Sequence, residues 1–170
     1  MLCKRSRRII MTQTIENKTT LNVRIETLPA MRVARALGFG TEPEYQSWTK
    51  LTRWMEANNI LSDGAPHRYF GFNNPDPSPA SPNYGYEQWV TVGPEARGDD
   101  EVKVFDYAGG QFAVTRCVLR DITPAWMQLV AWVEQSPYAF AKGQCLEEFL
   151  GEGRPDLDKA FDLFLPVVKR

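Results

Sequence analysis

The stretch C-L-E-E-F-L at positions 145–150 holds the carboxylates best placed for chemistry. Read as a strand, it points Cys145, Glu147 and Phe149 one way and Leu146, Glu148 and Leu150 the other. A carboxylate facing an aromatic cavity has its charge disfavoured by desolvation, which suits it to hold a cation or to act as a general acid or base. The alternative is an ordinary ion pair with an arginine such as Arg116, and spacing alone leaves the two readings level. Glu148 takes the role of Glu147 only if the strand faces the other way. Trp48, Tyr69, Trp89, Phe105, Trp126 and Phe149 are the aromatics able to stack on a flat ligand or cradle its positive charge. Plain packing is expected to account for about half of them, in keeping with the mixed lining of small-molecule sites. Trp89 interrupts an otherwise β-branched strand and is the foremost wall candidate, whereas Trp54 and Trp132 read as structural.

Other reactive types offer less. Glu87 and Asp162 occupy matching positions in Y-E-Q-W and F-D-L-F, and paired carboxylates can run acid–base chemistry; the favoured reading is that they face solvent or bond a neighbouring loop. His67, the single histidine, has no serine motif, partner cysteine or second ligand beside it and reads as a surface residue. Cys3, Cys117 and Cys145 lie far apart without CxxC spacing, so neither a disulfide framework nor a metal site is expected, and no cofactor. Gly38, Gly40, Gly109 and Gly110 belong to turns and not to a phosphate loop, since no GKS/T element follows.

The elements that must position these groups are written twice. Residues 48–56 read W-T-K-L-T-R-W-M-E and residues 126–134 read W-M-Q-L-V-A-W-V-E, so Trp48, Leu51, Trp54 and Glu56 match Trp126, Leu129, Trp132 and Glu134 at a constant offset of 78. Both segments predict helices. Thr41 and Glu44 suggest a capping box with Pro43 in the first turn, and Thr123-Pro124 suggests a cap followed by proline. Trp48, Leu51 and Met55 fall on one face, as do Trp126, Leu129, Val130 and Val133. The helices should end near Asn58-Asn59 and Ser136-Pro137. Before each helix come two strands, 23–28 with 31–37 and 102–107 with 111–119, the latter pair around the turn Gly109-Gly110. After each helix come two more, 68–72 with 86–92 and 145–150 with 161–167, separated by polar, proline-bearing loops at 73–83 and 151–158. The halves, about 21–92 and 101–168, join through 93–100. The fold class is therefore α+β: two pseudo-symmetric β-(β)-α-β-β repeats form one domain over 21–170, with a central ligand cleft where the halves meet.

Composition agrees with a globular binding domain and narrows its partners. The chain has 170 residues, 43% hydrophobic and 24% charged, with a net charge of −1. No global field draws it to nucleic acid, and no specific nucleic-acid binding is expected. No apolar run approaches the ~20 residues of a membrane helix, so no membrane association is expected. The unpaired cysteines suit a reducing cytoplasm. Lys4, Arg5, Arg7 and Arg8 precede only Ile9, Ile10 and Met11, too short an apolar run for a signal peptide. Residues 1–20 read as a disordered or polar tail, with Met11 an alternative start.

In order and spacing, G-Q-F-A-V at 110–114, the Trp126/Trp132 helix, S-P-Y at 136–138, C-L-E-E-F-L and F-D-L-F-L-P-V at 161–167 resemble the GyrI-like domain, the effector-binding domain of many bacterial regulators. Y-F-G-F at 69–72, the Asn-Pro loop and Y-E-Q-W-V-T-V at 86–92 are similar too, and the resemblance spans about 21–168. It implies a fold of SOUL/GyrI-like type with an aromatic pocket, and an acidic side chain that meets cationic, lipophilic compounds. By that resemblance Glu147 is the pocket carboxylate, with Phe149 replacing the more usual tyrosine. Many relatives carry a helix-turn-helix region ahead of this domain; here only the short tail precedes the first strand, so the resemblance implies a stand-alone member. The leading expectation is a sensor or sequestering protein for small aromatic or cationic molecules. The alternatives are a hydrolase of reactive small molecules that activates water through Glu147, and an interaction module that inhibits a protein partner such as DNA gyrase.

Overall fold

The computed structural model describes residues 21–151 and 157–170. The expectations for the tail at 1–20, Cys3 included, and for most of the 151–158 loop lie outside the described residues. The first half runs β1 (Val23–Leu28), β2 (Met31–Gly40), α1 (Pro43–Ala57), β3 (Tyr69–Asn73) and β4 (Tyr84–Thr91). The second runs β5 (Val102–Tyr107), β6 (Gly110–Val118), α2 (Ile122–Glu134), β8 (Leu146–Phe149) and β9 (Ala160–Lys169), with an extra short strand, β7 (Tyr138–Phe140), on β9.

These elements make one antiparallel sheet in the order β1-β6-β9-β8-β3-β4-β2-β5. Exchange the halves and the order reads the same backwards, so a pseudo-twofold axis passes between β3 and β8. Register agrees: Tyr69 faces Phe149, Phe70 faces Glu148 and Gly71 faces Glu147. With the repeat offset of 78, Tyr69 and Glu147 are equivalent positions, as are Trp48 and Trp126.

One expectation is corrected here. The paired strands that precede each helix do not join each other. β1 adds to β6 and β5 adds to β2, so each half lends its first strand to the other. The links from β1 to β2 and from β5 to β6 touch where Gly109, at φ 75°, passes against the backbone of Leu28 and Pro29. A side chain there would collide with both carbonyls, and the positive φ also favours glycine.

Both helices cover one face of the sheet, because each has an apolar stripe that must be buried. Leu51, Trp54 and Met55 of α1 pack on Ala34, Ala36, Val90 and Val102. Ala125, Leu129 and Val133 of α2 pack on Ala113, Phe149, Phe161, Leu163 and Leu165. Val130, expected on this stripe, is exposed. The other face holds its own core, with Phe70, Phe72, Trp89, Phe112 and Phe164 at its centre. Phe112 and Phe164 meet edge to face at 5.6 Å, a favoured geometry for rings.

The expected caps do not form. α1 has Glu42 at its N-cap without a side-chain bond, and Glu44 instead accepts a hydrogen bond from the Tyr84 hydroxyl at 2.7 Å. α2 begins at Ile122, which takes helical angles directly after a 3₁₀ turn at Leu119–Asp121. That moves the start ahead of Thr123 and leaves Pro124 within the first turn, where its missing N–H costs nothing.

Candidate functional site

On the helix-covered face, three strands set a single row: Gln88 of β4, Gly71 of β3 and Glu147 of β8. The next row is Val90, Tyr69 and Phe149. α1 and α2 sit over opposite ends of the sheet, and between them Gln88, Gly71, Glu147 and Tyr69 floor a cleft of about 250 Å³. Trp48 and Tyr45 of α1 wall one side; Phe149, Phe161 and Leu119 wall the other. A wider groove opens beside it toward Trp126, Cys145 and the 73–77 segment, and Glu44, Tyr86 and Glu147 border both.

Glu147 lies at that junction, half-buried. Its Oε2 accepts from the Tyr86 hydroxyl at 2.8 Å and its Oε1 from the Trp126 indole N–H at 3.0 Å. Burial pushes its pKa up, against the pull of those two hydrogen bonds, and the charge of Glu44 adds to the rise. Tyr86 is held well above the usual phenol range by burial and by Glu147. Tyr84, beside it, is raised to about 12 by burial and its bond to Glu44. Among the described residues, the linings of cleft and groove contain Glu44, Asp76 and Glu147 but no Lys, Arg or His. Negative charge here has no built-in counter-ion.

Glu148 faces away from the cleft. It takes a bidentate pair from Arg68, at 2.6 and 2.7 Å, and is 6% exposed. Arg116, the alternative partner considered for Glu147, pairs with Asp162 at 2.8 and 3.0 Å, and Arg24 joins from β1. Asp162 and Glu87 are each 2% exposed, so neither faces solvent. Glu87 does bond its neighbouring loop through Asn74, and also pairs with Arg35. These three carboxylates lie with the aromatic core on the far face, where an arginine meets each one. The surface reading of His67 is corrected as well. Its ring is held at both nitrogens, by the Thr91 carbonyl at 2.7 Å and Asp63 at 2.9 Å, with the side chain 10% exposed.

Of the aromatics named from sequence, Trp48, Tyr69 and Phe149 meet Glu147 at the cleft, and the rings of Trp48 and Tyr69 lie 5.9 Å apart. Trp126 stands in the adjoining groove and reaches the cleft through its bond to Glu147. Trp89 touches the lining, but alternation sends its ring to the far face, where it donates to Glu87 and packs edge-on against Phe72 and Phe105. Phe105 borders a separate hollow on that face with Arg35 and Lys103. Sequence reasoning missed Tyr86, Gln88 and Glu44. In Y-E-Q-W both faces are buried, so alternation gives the two sets without saying which one meets the cleft.

Residues 21–168 match the GyrI-like small molecule binding domain. The chain belongs to this family. Its GyrI-like domain is 31% identical over 134 residues to a DNA gyrase inhibitor of Escherichia fergusonii, covering 74% of this chain and 83% of that one. In fold it is similar to the EcmrR C-terminal domain, with a TM-score of 0.66, 13% identity and coverage of 89% and 99%. A hydrolase from Listeria innocua is similar too, with a TM-score of 0.62, 12% identity and coverage of 86% and 91%. At such identities the two structures establish the fold of the GyrI-like domain and not its ligand. Among the described residues no helix is long and apolar enough to cross a membrane, and no group of three His, Cys, Asp or Glu is gathered for a metal.

Proposed function

We propose that the cleft binds a flat, aromatic, positively charged organic molecule with Glu147 as its counter-ion, so that the protein works as a ligand sensor or a sequestering protein. One observation carries this reading: a half-buried carboxylate among rings, bonded among the described residues only by the neutral donors Tyr86 and Trp126, in a lining where those residues include no basic one. A cation supplies the charge that desolvation makes Glu147 lack, and the rings supply stacking and cation–π contact. Titrating tryptophan fluorescence with an aromatic cation and with its neutral isostere tests the proposal. Glu147→Gln should cost on the order of 2–5 kcal/mol for the cation, roughly 30-fold or more in affinity, and much less for the neutral compound. Equal affinities for both compounds in the parent protein would sink it.

The same carboxylate also suits a general base, since a raised pKa brings it nearer neutral pH. Mass spectrometry of the ligand after incubation separates the two uses: unaltered ligand means binding, and a hydrolysed one means turnover that Glu147→Gln abolishes. The relative named DNA gyrase inhibitor supports a third use through a protein partner. A supercoiling assay with added protein tests that directly.

A further inference from the structure

Gln88 is the polar group of the cleft that the fold leaves unexplained. It lines the cleft and is 9% exposed, yet its Oε1 finds no donor among the described residues. A buried acceptor without a partner is unfavourable, and where one persists there is a reason for it. The neighbours give none. Gln88 faces Gly71, which has no side chain, and Gly71 faces Glu147 on its other side. The phenol of Tyr86 lies over Gly71 and is committed to Glu147. Gln88 and Glu147 thus flank Gly71 in one cross-strand row, their Cα atoms two strand spacings, about 10 Å, apart. The cleft lining thus holds a carboxylate on one side of Gly71 and, on the other, an amide whose oxygen has no donor among the described residues.

We infer that Gln88 selects the chemistry of the ligand: the cleft prefers an aromatic cation that carries its charge on N–H groups, such as an amidinium, guanidinium or protonated aryl amine, over a quaternary cation of similar size. This rests on Glu147 as counter-ion and adds a second point of recognition. A quaternary ammonium neutralises the carboxylate but has no hydrogen to offer a carbonyl oxygen. It leaves the amide oxygen, already shut off from water, still without a donor, and sites built around a polar group reject such ligands strongly. Half a turn of the amide exchanges its oxygen and nitrogen, so the oxygen can be brought to a ligand N–H.

Naphthamidine and naphthyltrimethylammonium, matched in ring and charge, serve as probes in a fluorescence titration. The parent protein should bind the amidine roughly tenfold or more tightly, and Gln88→Met, which keeps length but removes the amide, should bring the two within roughly threefold. Equal affinities in the parent, or a preference that survives in Gln88→Met, overturn the inference. Glu147→Gln separates it from the reading beneath it: a large loss for both cations upholds the counter-ion whatever Gln88 does, and no loss for either overturns the counter-ion itself. Should Gln88→Met fold poorly, the side-chain amide resonances of Gln88 in nitrogen-labelled parent protein decide. A shift with the amidine alone supports the inference, and an equal response, or none, to both cations overturns it.

Discussion

A carboxylate set between rings is kept from much of its own hydration, and Glu147 shows the cost in its raised pKa. The folded state therefore keeps the proton to higher pH than the unfolded chain does. Stability falls as pH rises from the ordinary value of 4.5 through the raised one, and the penalty is complete above it. Glu147→Gln removes the penalty, so it should melt at a higher temperature than the parent near neutral pH and lose that advantage below about pH 4. Scanning calorimetry at the two pH values checks this. The site would then trade stability for affinity, since the same change is expected to weaken cation binding. Trp126→Phe removes one of the two donors that favour the ionised form, so Glu147 should take up its proton at a still higher pH. The pH midpoint of cation binding should move upward with it, a shift that a packing defect alone would not produce.

Among the elements, β3 matters most for what it lacks. A Cβ at Gly71 would collide with the phenol ring of Tyr86, which crosses β3 to reach Glu147. Gly71→Ala should displace that ring, free Glu147 Oε2 and weaken cation binding by about tenfold with little change in melting temperature, because the ring can turn toward the open groove. An unchanged affinity would show that Tyr86 plays no part in holding the carboxylate. The helices make the contrasting case. Leu51 and Leu129 are repeat equivalents, each fully buried under its helix, and each changed to Ala should cost about 2–5 kcal/mol in chemical denaturation. The apolar stripes of both helices were legible, because period and composition agree there. The facing of β8 was legible as well: Cys145, Glu147 and Phe149 alternate with Leu146, Glu148 and Leu150 as expected, and Glu147 meets the cleft. β4 resisted the same treatment, and Trp89, chosen as a wall because it interrupts an otherwise β-branched strand, turns its ring into the far core. Glu44 read as a cap, since its bond to Tyr84 spans 40 positions that no local pattern records.

For the whole molecule, the duplication was plain in two tryptophan-bearing helices, whereas the exchange of first strands was not. Short links such as Pro29-Ala30 look like hairpin turns, and only the crossing at Gly109 shows why they are not. The exchange has a measurable consequence. Cut within the connector at 93–100, each fragment holds four main strands, of which three pair with one another and the first has lost its neighbour, and it lacks the edge strand that its partner holds. Each fragment alone should show little fixed tertiary structure by near-ultraviolet circular dichroism, and equimolar mixing should restore both the parent signal and cation binding. A fragment that folds fully by itself would mean that the borrowed strand is dispensable.

The dyad between β3 and β8 also bears on how a guest sits. A perfectly repeated protein would show the same face to both ends of a molecule on its axis, with two carboxylates or none. Here position 69 is a tyrosine whose ring lies tilted against Trp48, while its twin at 147 is a glutamate tied to Trp126. Two ancestral likenesses have become a greasy end and a charged end. In the proposed binding mode a guest with a single positive pole has one way in, not two, and the broken symmetry acts as a compass needle for its orientation.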